Sequence, residues 1–260
     1  MTSERDMTGK VYLIGAGPGD PELMTVKAIR MLKEADAVVY DRLVSDEIIA
    51  MANPDAKMIF VGKSPKCHTV PQERINEILA EEALAGRTVA RLKGGDPLIF
   101  GRGSEEAAHL IEQGVEVEYA PGITAAQGAA SVTGVPLTHR GLATGVQYVT
   151  GHRQADNALD LDWKKLADPD TTLVVYMGVA NIGQIAVGLM TEGLPGSTPV
   201  MAISRVSAAD ESRMISTLNR VVQDSRDAGL KPPTLFVIGK VVSLYDSALL
   251  SPEKEIAAHG

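Results

Sequence analysis

Arg91-Leu92-Lys93-Gly94-Gly95-Asp96-Pro97-Leu98-Ile99-Phe100-Gly101-Arg102-Gly103 leaves a strand-like start and enters a loop crowded with glycines, one carboxylate and cationic side chains. Paired glycines let a backbone approach a ligand closely. Asp96 can accept hydrogen bonds from a hydroxylated or cationic ligand, while Arg91, Lys93 and Arg102 suit an anionic one. Two further Gly/Pro loops follow strand-like runs: Gly15-Ala16-Gly17-Pro18-Gly19-Asp20-Pro21 after Val11–Ile14, and Pro121-Gly122-Ile123-Thr124-Ala125-Ala126 after Val115–Ala120. Loops at the carboxyl ends of strands are where an open α/β sheet binds its ligands.

Working outward, apolar runs at Val11–Ile14, Ala37–Tyr40, Lys57–Val61, Thr88–Leu92 and Val115–Ala120 alternate with helical periodicity at Glu22–Ala35, Asp46–Met51, Gln72–Ala85 and Ser104–Gln113. That alternation predicts a mostly parallel sheet flanked by helices. A second series places strands at Gly145–Thr150, Thr172–Met177, Pro199–Ile203, Arg213–Thr217 and Thr234–Ile238, with helices near Asn181–Thr191 and Leu218–Ala228. The fold class expected is α/β, with two α/β domains at 10–138 and 145–248, mostly parallel or mixed sheets, and a cleft between the halves. The junction is expected at 137–146, where Thr138-His139-Arg140-Gly141 and Thr144-Gly145 interrupt both periods. Residues 1–9 and 251–260 read as tails.

Lys and Arg number 25 against 33 Asp and Glu, for a formal charge of −8, which argues against broad contact with nucleic acid. The single cysteine, Cys67, excludes an intrachain disulfide and a cysteine-rich metal site, so no metal is expected and a reducing cytoplasm fits. No apolar run reaches the roughly 20 residues of a membrane span and no secretion leader is seen, so no membrane partner is expected.

Several motifs need weighing against plainer readings. Gly15 and Gly17 match the start of a dinucleotide fingerprint, but its third glycine falls on Asp20, where a carboxylate repels pyrophosphate; the fingerprint fails. No Gly-Lys-Ser/Thr closes a P-loop either. Pro18 and Pro21 stiffen a turn that suits a flat ring or a thioether, or is simply a turn. Asp41-Arg42 and Gly62-Lys63 sit at strand exits, either as ordinary surface residues or as part of the rim formed by the glycine loops. Cys67-His68 lacks a second ligand pair and reads as bland. His139 and His152 are either solvated or substrate contacts, and Met177-Gly178 is either core or a thioether beside an aromatic or sulfur-bearing ligand.

Taken together, these stretches resemble the uroporphyrinogen-III C-methyltransferases of the tetrapyrrole methylase family, over about residues 9–245. The resemblance is carried by Val11-to-Pro21, Tyr40-Asp41-Arg42-Leu43-Val44, Val61-Gly62-Lys63 and Gly94-to-Gly103 with Glu105-Glu106. It continues through Pro121-to-Ala126, Pro136-Leu137-Thr138-His139-Arg140-Gly141, Thr150-Gly151-His152, Met177-Gly178 and Pro233-Thr234-Leu235. It implies the tetrapyrrole methylase fold, S-adenosyl-L-methionine held in the interdomain cleft and S-adenosyl-L-homocysteine released. It also implies a homodimer, and methylation of uroporphyrinogen III at C2 and C7 to precorrin-2 for sirohaem or cobalamin. The cofactor contacts implied are Pro18, Gly94, Gly95, Asp96, Ile99, Thr124, Ala125, Met177, Val206 and Thr234. Asp41 and Lys63 are implied as proton acceptor and donor, and Arg102 and Glu105 in substrate handling; Arg42 and Arg140 are the expected partners of substrate carboxylates.

The sequence departs from the family at Ser64-Pro65-Lys66, where an arginine and small residues are usual, and at Val206-Ser207, where a Gly-Thr pair is common. A third departure, Lys240, replaces a usual glutamate. Two other readings stand beside the main one: a later corrin-ring methyltransferase, with a similar basic cleft, and a nonenzymatic ligand-binding relative. Retention of Asp41, Lys63 and Arg102 speaks against the second, since a sensor needs the pocket but not the chemistry.

Overall fold

The computed structural model describes residues 8–62, 70–152 and 159–245. The chain divides into two compact units, Met1–Thr124 and Ala125–Gly260. This division falls before the expected 137–146 junction because Ala126 and Ala129 pack into the core of the second unit, beside Val174, Met201 and Leu235.

The first unit is built on β1 (Lys10–Gly15), β2 (Ala37–Tyr40), β3 (Lys57–Phe60), β4 (Val89–Lys93) and β5 (Glu116–Ala120), in the spatial order β3-β2-β4-β1-β5. Every pairing is parallel. Of the central strands, β4 is buried from end to end and β1 everywhere but at its half-buried first residue, Lys10, as expected of a sheet covered on both faces. Successive side chains take opposite faces. Tyr12 and Ile14 join Val38, Ala90 and Leu92 against Met31 and Leu32 of α1 (Val26–Glu34). Val11 and Leu13 join Val39 and Val89 against Leu79 and Ala83 of α3 (Gln72–Leu84) and Ala107 and Leu110 of α4 (Gly103–Glu112). A short α2 (Asp46–Ile49) follows β2 and buries Ile48 on the α1 side. The helix expected over Glu22–Ala35 is split into a 3-10 turn at Pro21–Leu23 and α1, because Thr25 is extended and its hydroxyl accepts the Ala28 N–H as a cap.

The second unit opens with α5 (Ala125–Thr133) and carries β6 (Gly145–Thr150), β7 (Thr171–Tyr176), β8 (Pro199–Ser204), β9 (Ser212–Thr217) and β10 (Thr234–Ile238), in the order β6-β7-β10-β8-β9. Only β6 and β7 run parallel; β10 enters antiparallel between β7 and β8, and β9 folds back on β8. No helix separates β8 from β9, so that connection can only make an antiparallel pair. Helices α6 (Trp163–Leu166), α7 (Ile182–Thr191) and α8 (Val221–Asp227) cover one face through Trp163, Ile185, Leu189 and Val221. Helix α5 and a 3-10 segment at Lys240–Leu244 cover the other. Helix α6 was not anticipated. The helix expected from Leu218 begins at Val221 because the Leu218 and Asn219 amides bond to Thr198 and Gly196 carbonyls instead.

Candidate functional site

In the first sheet the chain leaves β1 toward β2 on one side and leaves β4 toward β5 on the other, so β1 and β4 flank the topological switch point. The glycine loops close over it. Gly17 and Gly95 form an antiparallel bridge beyond the strand ends, with N···O distances of 3.1 and 2.6 Å, and Ala16 N–H reaches Lys93 O at 2.8 Å. Asp96 then ties β4 to β5: its carboxylate accepts Leu98 N–H at 2.8 Å and Gly122 N–H at 3.0 Å. Its lone pairs are not exhausted by two donors. The loops touch so closely that a Cβ on Gly15 would lie 2.5 Å from Gly122 N and 2.7 Å from Gly95 O. Gly95 itself has φ +70° and meets nothing within 4 Å where its Cβ would be, so the rim is open above it. Pro18 and Gly94 are half-buried in this rim, Thr124 is buried and Ile99 is exposed. Phe100 and Arg102 take positive φ of 52° and 58°, which marks a constrained loop for non-glycine residues.

Asp41 leaves β2 on the same rim; its carboxylate accepts Leu43 N–H at 3.0 Å and lies 3.4 Å from the Arg91 guanidinium. Arg42 is exposed beside it. Lys63, and with it Lys66, Cys67 and His68, lies outside the described residues. Arg102 caps α4 and chelates Glu105 at 2.7 and 3.0 Å, both side chains being about half exposed at 51% and 55%. The Arg102 hydrogen bond holds the Glu105 carboxyl below its ordinary range.

Arg91 and Lys93 are a correction. They were expected as free cations flanking an anion, but two-residue spacing turns both into the α4 face of the sheet, where they are buried. Both bind the fully buried Glu106, at 3.2 and 2.8 Å, and Gln72 donates to the same oxygen at 3.1 Å. Burial first, and then the neighbouring Arg91 charge, push the Lys93 ammonium below its usual value against the opposing pull of Glu106. Glu106 Oε2 has no hydrogen-bond partner among the described residues.

In the second unit one end of the sheet gathers four expected residues. Met177 follows β7 with φ 54° and is 49% exposed; Val206 follows β8; Thr234 opens β10 with its hydroxyl 2.6 Å from Ser204 Oγ. Ala125 starts α5, and Ala126 N–H bonds the Tyr176 hydroxyl at 3.2 Å, fastening that helix start to the end of β7. Val206 is buried in spite of the missing Gly-Thr pair, with Arg205 and Ser207 on either side at φ 50° and 58°. Arg140 and His139 lie exposed in a turn closed by a His139–Ala143 bridge, and His152 is exposed after β6. Lys240 pairs with Asp170 at 2.8 Å, away from these strand ends. A second buried ion pair, Glu211–Arg213, lies beneath the Val206 loop and was missed. The signal for both clusters was available: opposite charges placed in or beside otherwise apolar strands.

Residues 10–222 match the family of Tetrapyrrole (Corrin/Porphyrin) Methylases. The chain belongs to the tetrapyrrole methylases. Among curated relatives, the uroporphyrinogen-III C-methyltransferase of Paracoccus denitrificans is 52% identical, across 97% of this chain and 90% of that protein. The siroheme synthase of Pseudoalteromonas atlantica is 49% identical across 92% of this chain, which spans 51% of the longer protein. Among solved structures, the Thermus thermophilus uroporphyrin-III C-methyltransferase complexed with S-adenosylhomocysteine superimposes with a TM-score of 0.77 at 41% identity, covering 91% of this chain and 94% of that one. Both sheets, the mixed second one included, therefore belong to a methylase fold. Among the described residues no cluster of His, Cys, Asp and Glu is arranged to hold a metal, and no helix is long and apolar enough to cross a membrane.

Proposed function

We propose that the chain transfers methyl groups from S-adenosyl-L-methionine to C2 and C7 of uroporphyrinogen III, releasing S-adenosyl-L-homocysteine and giving precorrin-2. The observation that carries this reading is the glycine-closed rim at the switch point of the first sheet, in a chain 52% identical to an enzyme of that name. The rim fits the cofactor: Gly95 leaves open space where any side chain would stand, and peptide groups, not phosphate-binding cations, line the turn.

When bound, the sulfonium supplies an electrophilic methyl, so no metal is required. The residues of the chain supply alignment, which is worth up to roughly 7–11 kcal/mol in well-oriented reactions. Pro18, Gly94, Gly95, Asp96, Ile99 and Thr124 of the first unit, and Ala125, Met177, Val206 and Thr234 of the second, are the cofactor contacts in this reading. Each transfer leaves a cationic macrocycle that must lose a proton. Asp41, fixed by Leu43 N–H and Arg91, accepts or guides that proton, with Lys63 as its donor partner. Arg42, Arg102 and Arg140 hold substrate carboxylates, and Glu105 keeps Arg102 extended until substrate competes for it. Cytoplasmic location, a homodimer, and delivery of the product to sirohaem or cobalamin belong to the same proposal. Anaerobic incubation with uroporphyrinogen III and S-adenosylmethionine, read by mass, should show two added methyl groups. Methylation only of an already methylated corrinoid would overturn the reading in favour of a later pathway enzyme, and cofactor binding without transfer would favour the nonenzymatic relative.

A further inference from the structure

We propose that the buried Glu211–Arg213 pair is the positioning element of the Arg205–Ser207 loop and, through that loop, sets the affinity for the cofactor. The proposal rests on the reading of Val206 as a cofactor contact.

Val206 buries its side chain in the core, with 5% exposure, so what the loop offers to a ligand is its main chain. The direction of that main chain is fixed by two left-handed residues that are not glycine, Arg205 and Ser207. Such conformations persist only where the surroundings impose them. Arg205 N–H bonds Pro233 O at 3.0 Å, and Ser207 N–H donates to Glu211 Oε2 at 2.6 Å. Glu211 is itself immobilised, because its Oε1 accepts Arg213 Nε at 2.8 Å and Nη2 at 2.6 Å. Arg213 Nη2 also donates to Val132 O at 2.8 Å, in the last turn of the helix that begins at Ala125. One guanidinium thus joins two of the segments assigned to the cofactor. The pair is buried, with side chains 0% and 4% exposed, and Arg213 Nη1 has no hydrogen-bond partner among the described residues. A buried pair of this kind is weak as a stabiliser, and its replacement by apolar residues is often neutral or favourable. An apolar side chain, however, cannot accept the Ser207 N–H.

This asymmetry separates positioning from mere support. The double variant Glu211→Leu/Arg213→Met removes both charges and strands neither. It should unfold at the wild-type urea concentration or above, yet bind S-adenosylhomocysteine about tenfold more weakly, the scale of one charge-assisted hydrogen bond. The KM for uroporphyrinogen III at saturating cofactor should stay unchanged. Glu211→Gln should also lose cofactor affinity, and adding Ser207→Gly should recover part of it, since glycine holds a positive φ without help. Wild-type affinity in Glu211→Gln, or losses of stability and affinity that run in parallel with no recovery in the glycine variant, would overturn the proposal. Failure of the wild-type protein itself to bind S-adenosylhomocysteine would instead overturn the cofactor reading on which it rests.

Discussion

The closest approach in the candidate site is between Gly122, Gly15 and Gly95, and Gly122→Ala tests whether that contact is what shapes it. A Cβ at position 122 would collide with Gly95 O and come within 2.8 Å of Gly15 Cα. Both obstacles are backbone, so no side chain can swing aside and a loop must move by about an ångström, at the roughly 1–3 kcal/mol typical of overpacking. That movement lengthens the 3.0 Å bond from Gly122 N–H to Asp96. A hydrogen bond to a charged acceptor is worth about 1.5–3 kcal/mol, less here because Asp96 is half exposed. The total is about 2–5 kcal/mol, divided between folding stability and the geometry of the rim. Gly95→Ala is the control: it must hold φ +70°, at a cost of about 1–2 kcal/mol, but its Cβ meets nothing within 4 Å in the unliganded rim. Urea unfolding and calorimetric titration with S-adenosylhomocysteine read both quantities. We expect Gly122→Ala to lose stability as well as affinity, and Gly95→Ala to lose affinity well beyond its small stability cost because its methyl group occupies ligand space. Wild-type cofactor affinity in Gly122→Ala would refute the argument that the three loops act as one rigid support.

Asp41→Asn preserves shape and removes charge, so single-turnover methyl transfer should slow while the Kd for S-adenosylhomocysteine holds; a wild-type rate would make this carboxylate a bystander. Arg102 is 51% exposed and already paired with Glu105, so Arg102→Ala should cost about 1 kcal/mol or less in macrocycle binding, an effect that fades at high salt. A hundredfold loss would show that Arg102 becomes fully desolvated on the substrate. Lys93 titrates below its ordinary value of 10.5 in the folded protein. Between the lowered value and 10.5 the unfolded chain therefore holds a proton that the folded chain has released, and this group's contribution to stability rises with pH across that window. Urea unfolding of wild type and Lys93→Met should show a difference that shifts in favour of wild type as pH rises there, and parallel curves would remove Lys93 as the cause.

The first unit was legible because its inner strands β1, β2 and β4 are almost wholly buried and read as apolar runs, and each strand leads into a glycine or a charged exit on the same rim. Asp96 was visible as a lone carboxylate between glycines, although its bonds to Leu98 and Gly122 were not, since they depend on loop contacts distant in sequence. The division at Thr124 was hidden because α5 is small-residue and amphipathic in a way that suits either core; only its packing beside Val174 and Met201 decides. Helix α6 is a single turn that Trp163 anchors against its core, too short to show a period. Arg91 and Lys93 misled for a definite reason: beside glycines they read as ligand-seeking cations, and the buried carboxylate they share, Glu106, stands on the next helix.

Each unit thus keeps a buried carboxylate one layer beneath a loop assigned to ligand. Glu106 gathers Arg91 and Lys93, and Arg91 reaches Asp41; Glu211 gathers Arg213 and holds Ser207. Stability does not account for this, because burying charge carries a desolvation cost that apolar packing of the same volume avoids. Direction does. In the proposed reading Asp41 stands at a strand exit with its carboxylate turned one way, and the Val206 loop presents main chain while two of its residues occupy a left-handed conformation. Dispersion contacts are individually weak and orient little, whereas a guanidinium fork or a fully buried carboxylate accepts only a narrow range of angles. Charge is therefore placed where the proposed site needs a fixed orientation, beneath Asp41 in one unit and beneath the Val206 loop in the other.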